Sequence, residues 1–243
     1  MKNKKIYIIK LNRKFLIYFL VFLILITIGL RKPWRTLKIF NPENQINIIV
    51  DPGHGGIDGG TGNIKDILEK DINLDVAIKL KRELLVEGYN IIMTREKDES
   101  LEELSNIKAS RYRRDLDARK TIINENSPSA FVSIHVNSSR KTSARGVKIY
   151  HFPGSTEGKR LAENIKESID EHLYKNYLKE DNLKAEVLTE NYYILRETKY
   201  PGVLIEIGFI TNPEENKLMK SRKYKEKIAY AIKKGVVRFV EPK

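Results

Sequence analysis

Residues 46–56 read Ile-Asn-Ile-Ile-Val-Asp-Pro-Gly-His-Gly-Gly. A short β-branched run ends at Asp51-Pro52-Gly53, where proline and glycine stop a strand. The period then changes: Ile72, Val76, Leu80 and Leu84 fall at helical spacing, and Gly88 is placed to close that helix. Residues 90–94 read as a second strand. Residues 96–114 are highly charged without a strong apolar period, so a loop or irregular helix is expected there. A helix over 116–126 stops before Pro128. Strands follow at 130–136 and 147–152, then a long helix whose face is Leu161, Ile165, Ile169, Leu173 and Tyr177. Residues 192–195 and 203–210 read as strands, and Tyr224, Ile228, Ile232 and Phe239 mark a C-terminal helix. Strand and helix alternate, and runs such as Val203-Leu204-Ile205 are apolar on both faces. This predicts an α/β fold: a single domain over residues 46–243, with a mostly parallel sheet of about six strands flanked by helices.

The chain has 243 residues, enough for one such domain with a short appendage. Its net formal charge of +13 is uneven. Residues 1–45 carry ten Lys or Arg and one acid, a net +9, which leaves +4 on residues 46–243. A general nucleic-acid binder needs a basic face on the folded domain, so no nucleic-acid partner is expected. The chain has no cysteine. Disulfides, thiolate metal sites, a cysteine nucleophile and a lipid-modified N-terminal cysteine are therefore excluded.

The excess basicity surrounds an uncharged run at 15–30. Lys2, Lys4, Lys5, Lys10, Arg13 and Lys14 precede it, and Arg31 and Lys32 close it. Sixteen helical residues fall slightly short of a hydrocarbon core about 30 Å thick, a difference that snorkelling Lys and Arg make up. The reading is a basic cytoplasmic segment at 1–14, a membrane-spanning signal-anchor helix at 15–30 and a linker at 31–45. A cleaved signal peptide is the competing reading, but no small-x-small site follows the run. Six basic residues before the run against four soon after it give an N-in topology. The domain is thus expected outside the cytoplasm, membrane-anchored, or secreted if the segment is cleaved.

Four residues stand out for chemistry. His54 sits in a glycine-rich loop beyond the carboxyl end of the first strand, where sites form in open α/β sheets. The loop lacks the spacing of a phosphate-binding motif, and His54 either caps a turn there or serves a site. Glu69 opens the helix of Ile72 and Val76, where an acid is an ordinary dipole partner. His135, near the end of Ala130-Phe131-Val132-Ser133-Ile134-His135, reads on its own as a core histidine. Glu206 interrupts Val203-Leu204-Ile205-Glu206-Ile207, and a carboxylate buried in a strand needs a partner, a proton or a metal. Together the four support one another. Two imidazoles and a carboxylate are a ligand set for catalytic zinc with water in the open position, and a further carboxylate beside that water is a general base. His151 and His172 read as structural.

With these residues in place, the chain resembles the zinc-dependent N-acetylmuramoyl-L-alanine amidases of bacterial cell-wall metabolism. The matching blocks are IIVDPGHGGIDGG at 48–60, LEKDINLDVAIKLKREL at 68–84, VSIHVN at 132–137 and PGVLIEIGFITNPEE at 201–215. Carried over residue by residue, the resemblance implies His54, Glu69 and His135 as ligands of one Zn2+ per chain and Glu206 as the catalytic glutamate. The family's six-stranded sheet agrees with the strand count above. Segments such as Thr94-Arg95-Glu96-Lys97-Asp98 and Tyr193-Ile194-Leu195-Arg196 are most similar to the family's sporulation amidases. That likeness implies removal of stem peptides in the spore cortex, on the way to the muramic δ-lactam read in germination, from the forespore's intermembrane space. It also implies peptidoglycan as substrate and a lipoprotein activator as partner. One departure is the stretch Asn63 to Leu68, shorter and less glycine-rich than in many members.

The expected reaction is hydrolysis of the amide between the lactyl carboxyl of N-acetylmuramic acid and L-alanine, with Glu206 moving the proton. Asn137 and Arg196 are candidates for substrate binding, against a strand-end cap and a solvated charge. Asp51 is a candidate for orienting a ligand histidine, or it only begins the turn. Arg111, Arg113 and Arg114 read as a solvated face. Two alternatives are a zinc peptidase acting on stem peptides and a membrane-tethered wall-binding protein with a degenerate site. The presence of all four residues speaks against the second.

Overall fold

The computed structural model describes residues 13–31, 46–63 and 66–242. The basic stretch 1–12 and the linker 32–45 lie outside the described residues. Helix α1 (Arg13–Arg31) covers the apolar run and extends it by two basic residues at its start and one at its end. Among the described residues, no helix is long and apolar enough to cross a membrane. Residues 1–40 and 41–243 form two separate units.

In the second unit, β1 (Asn47–Pro52) leads through the glycine-rich loop to a two-residue hairpin, β2 (Gly62–Asn63) and β3 (Ile67–Leu68). Next come α2 (Glu69–Val86), β4 (Asn90–Met93), a 3₁₀ turn at Glu102–Leu104, α3 (Arg111–Glu125) and β5 (Ala130–Asn137). The chain continues with β6 (Lys148–His151), α4 (Thr156–Ile169), a π-helical stretch (Asp170–Leu178) and β7 (Glu186–Thr189). It ends with α5 (Tyr193–Arg196), β8 (Gly202–Phe209), α6 (Pro213–Lys220) and α7 (Arg222–Val240). Gly88 closes α2 as expected, at φ 91° with its N–H on the Leu85 carbonyl. Helix α3 starts earlier than its apolar period suggested, because Ser110 caps it by accepting from the Arg113 N–H.

The six-stranded sheet has the order β4-β1-β5-β8-β6-β7. Four of its pairings are parallel, and only β6 against β8 is antiparallel. The sixth strand is not the expected one. Residues 192–195 form no strand; Tyr193–Arg196 is a single helical turn, and the sheet edge is Glu186–Thr189 instead. Ile194 and Leu195 are adjacent and both buried, which one helical turn achieves and a strand, pointing them to opposite faces, does not.

The sheet's two faces are unequal. Ile48, Val50, Val132, Ile134, Val203 and Ile205 point into a large core covered by α2, α4 and α7. The opposite face carries a small cluster of Ile49, Phe131 and Leu204 with Ile123 of α3 and Ile194 and Leu195 of α5. Side chains alternate along a strand. Asp51, Ser133, His135 and Glu206 therefore share the thin face with Ile49, Phe131 and Leu204. The register sets Asp51 beside Ser133 and His135 beside Glu206.

Arg119 of α3 fastens this face. It is fully buried, and its guanidinium donates to Asp51 Oδ1 at 2.6 Å, Asp115 Oδ2 at 2.6 Å, the Pro52 carbonyl at 2.8 Å and the His54 carbonyl at 2.7 Å. Arg95 grips the same loop from the side, donating to the carbonyls of Pro52, Gly53 and Lys70. Burial works against the charge of Asp51, yet Arg119 and the hydroxyls of Ser133 and Thr94 bring its carboxyl down to about 2. Arg119→Ala leaves that carboxylate buried and without its cation. It is expected to lower unfolding stability at neutral pH by about 3–5 kcal/mol, measured by urea denaturation.

Candidate active site

The loop after β1 carries His54 in a left-handed conformation, at φ 60°, a strained state for a residue with a side chain. Several contacts hold it there. The Gly55 and Asp58 backbones bond reciprocally at 2.9 and 3.1 Å. The imidazole Nδ1 meets Asp58 Oδ2 at 2.7 Å. Its Nε2 consequently points inward and lies 3.2 Å from Glu69 Oε1.

Glu69 is the first residue of α2, so its carboxylate sits at the positive end of that helix. Its Oε1 also lies 3.0 Å from His135 Nδ1 and accepts the Val136 N–H, while Oε2 accepts the Thr61 N–H. His135 projects from β5 with its ring against Gly53, where a Cβ would lie 2.2 Å from the imidazole. The glycine is required by this close approach. The two imidazoles meet edge to face at 5.0 Å. One donor atom from each of His54, Glu69 and His135 falls within 4.8 Å of the others, a group that could hold a metal ion.

Charge and burial describe the same preference for a cation. Burial opposes protonation of His54, but Glu69 and Asp58 raise it to about 9. Burial opposes ionisation of Glu69, but hydrogen bonds from His135 and His54 hold it well below the usual carboxylate range. Glu206 is the reverse case. It is largely buried, its Oε2 has no hydrogen-bond partner among the described residues, and burial pushes it up to about 7. His54, Asp58, His135 and Glu206 line one cleft, together with Tyr112, Tyr192 and Tyr193.

Residues 48–238 match the family Amidase_3, described as N-acetylmuramoyl-L-alanine amidase. The chain belongs to this family. As a member it is a peptidoglycan hydrolase, an N-acetylmuramoyl-L-alanine amidase. The germination-specific N-acetylmuramoyl-L-alanine amidase of Bacillus subtilis is 32% identical over 213 residues, 87% of this chain and 85% of that protein. LytC of the same organism, also an N-acetylmuramoyl-L-alanine amidase, is 33% identical over 207 residues, of which this chain spans only 37% of the relative's length. Among solved structures, the CwlD amidase from Clostridioides difficile in complex with the GerS lipoprotein superposes with a TM-score of 0.71 at 35% identity. That match covers 81% of this chain and 98% of the other. An N-acetylmuramoyl-L-alanine amidase from Clostridium difficile 630 gives a TM-score of 0.68 at 30% identity, over 82% and 99%.

In this amidase, of the other sequence candidates Asp51 also lines the cleft, while Asn137 and Arg196 fall further out. Asp51 lies under the loop, and its hydrogen bonds go to Thr94, Ser133 and Arg119, none to an imidazole. Asn137 ends β5, where its side chain accepts the Ser138 N–H. Arg196 lies on α5, paired with Glu197 and Asn191. Neither Asn137 nor Arg196 lines the cleft. The arginines at the start of α3 are engaged locally: Arg111 pairs with Glu102, Arg113 lies 3.9 Å over the Tyr193 ring, and Arg114 donates to the Ala109 carbonyl. Sequence reasoning missed Asp58, Arg95, Arg119 and the tyrosine wall. Only Asp58 left a local signal, as the one acid in the loop that carries His54.

Glu206 gives a stability test with a defined sign. Its carboxyl is raised in the fold from 4.5 to about 7, so its stabilising contribution is present below 4.5 and lost as pH rises through 7. Glu206→Gln removes that loss. With metal chelated, the variant is expected to match the parent near pH ~4 and to exceed it by about 2–3 kcal/mol near pH ~8, measured by denaturant unfolding at both values.

Proposed function

We propose that this amidase uses one zinc ion, held by His54, Glu69 and His135, to hydrolyse the bond between N-acetylmuramic acid and L-alanine. The observation that carries the reading is the convergence of those three donors beside a buried, unpartnered Glu206 on one cleft. The donors fit a divalent cation: two imidazoles and a carboxylate converge, and one imidazole is backed by a further carboxylate. A bound zinc supplies Lewis-acid polarisation of the scissile carbonyl and of water.

The chain's own residues do the rest. Glu206, near neutrality and pointing into the cleft, takes a proton from the attacking water and returns it to the leaving L-alanine amine. Arg119 and Asp58 keep the His54 loop in place while this happens. Tyr112, Tyr192 and Tyr193 offer aromatic faces along the same cleft.

The biological setting is part of the same proposal. The germination-specific relative supports action on spore cortex, where stem-peptide removal precedes muramic δ-lactam formation. The complex of the C. difficile protein with a lipoprotein supports a lipoprotein partner for this chain. The basic-flanked apolar run of α1 supports seating at a membrane, with the amidase domain outside the cytoplasm, in the space between the forespore membranes.

The full chain, supplied with zinc and defined muropeptides, is expected to release free stem peptides with a new N-terminal alanine and to leave peptide-free glycan, both read by mass spectrometry. Products cut within the peptide would identify a peptidase instead. Glu206→Gln is expected to retain zinc at parental stoichiometry and to lower kcat by about 10²–10⁴-fold. Undiminished turnover in that variant would remove Glu206 from its role.

A further inference from the structure

Asp58 makes two bonds that close the loop between β1 and β2. Its Oδ2 lies 2.7 Å from His54 Nδ1, and its Oδ1 accepts the Gly60 N–H at 3.0 Å. The first of these bears on which nitrogen His54 turns toward Glu69. A carboxylate has no proton to give at neutral pH, so it is satisfied by the Nδ1–H tautomer. That tautomer leaves the lone pair on Nε2, the nitrogen that faces Glu69 Oε1 at 3.2 Å. Among the described residues, His135 has no such second carboxylate behind it: it turns Nδ1 toward Glu69 and packs its ring on Gly53.

We propose that Asp58 is the positioning residue for His54, fixing the imidazole in the tautomer and orientation that present Nε2 to the zinc ion; this rests on the zinc reading given above. The backbone of His54 alone does not set the ring. Arg119 holds the carbonyl and Gly55 and Asp58 hold the turn, but neither contact reaches the imidazole. Glu69 Oε1 faces His54 Nε2 and, without a cation between them, favours a proton on that nitrogen, so it does not supply the Nδ1–H preference. Asp58 is the group on the outer side of the ring that does.

A loop latch and a ring-positioning role predict opposite orders for two variants. Asp58→Asn keeps an oxygen for the Gly60 N–H, so a latch alone leaves it close to the parent. Its amide group, however, faces Nδ1 with N–H donors and favours the proton on Nε2, the nitrogen that must bind zinc. Asp58→Ala removes the latch but leaves the tautomer free.

The test is a chelator competition on the full chain in detergent micelles, titrating zinc into parent, Asp58→Asn and Asp58→Ala proteins of matched circular dichroism. Asp58→Asn is expected to bind zinc about 10–100-fold more weakly than the parent and no better than Asp58→Ala. Imidazole 15N spectra of the zinc-loaded parent are expected to show His54 protonated at Nδ1. Asp58→Asn binding zinc within about tenfold of the parent would overturn the proposal, as would an Nε2-protonated His54 in the loaded parent. A parent chain that takes up no zinc overturns the metal reading and this role with it, whereas a parent that binds zinc without cleaving muropeptides leaves the Asp58 comparison fully decisive.

Discussion

The buried guanidinium of Arg119 is the contact on which the site geometry depends. It neutralises Asp51 at the end of β1 and, with the same two-pronged group, takes the carbonyls of Pro52 and His54. A buried ion pair contributes little net stability over an apolar replacement, because both charges have been taken out of water. What it supplies here is placement. The loop that carries His54 is rich in glycine and has no helical or strand bonds of its own beyond the Gly55–Asp58 bridge. Held by backbone alone it would have many conformations, and His54 would not remain at a positive φ. Arg119 from above and Arg95 from the side convert the loop's carbonyls into fixed points, and the imidazole is aimed from those points.

The same face of the sheet carries two carboxylates in opposite states, and environment alone separates them. Glu69 receives backbone N–H groups from Thr61 and Val136, sits at a helix N-terminus and faces two imidazoles. These hydrogen bonds and imidazoles outweigh its burial, so it stays an anion fit for a cation. Glu206 projects from the middle of β8 with one oxygen buried and unpartnered. Among the described residues that oxygen receives no N–H, and the loss of water raises the carboxyl to about 7. A group poised there takes and returns protons near neutral pH, which a ligand carboxylate does not. The alternation of the strands brings this about: His135 and Glu206 are cross-strand neighbours, so both line the same cleft.

How much of this was legible in the sequence follows from how each residue is buried. The central strands, covered on both sides, leave mainly apolar runs at 130–136 and 203–210, interrupted only by Ser133, His135, Glu206 and Gly208, that identify themselves. The edge strand Glu186–Thr189 has only half-buried Val187 and Leu188 between exposed ends, so it left no run. Residues 192–195 have the aromatic and branched side chains of a strand, yet tertiary packing puts Ile194 and Leu195 together against the thin-face cluster as a helical turn. The site divides the same way. His54, Glu69, His135 and Glu206 stand in motifs, or where a charge interrupts apolar residues, and all four were readable. Arg119 lies in a helix full of arginines, and nothing local distinguishes the buried one from Arg111 or Arg113. Its role exists only once α3 has crossed beneath β1.

The residues that line the cleft rest on two clusters of unequal size. His54, Glu69, His135 and Glu206 are carried by the loop after β1 and by α2, β5 and β8, elements that pack in the large core. The tyrosine wall of the cleft is carried by α3 and α5, which rest on a cluster of six buried residues. Tyr112 and Tyr193 stand on those two elements and Tyr192 caps the second, where Tyr150 packs against it edge to face at 5.4 Å. A substitution in the wall therefore disturbs little of the core that sets the ligand geometry, and the wall can change its shape while the hydrolytic centre stays constant. Arg119 is the exception: it belongs to α3 and yet holds the His54 loop. Through that one side chain α3 is joined to the backbone of the loop that carries His54, so the two sets of residues lining the cleft meet at a buried cation.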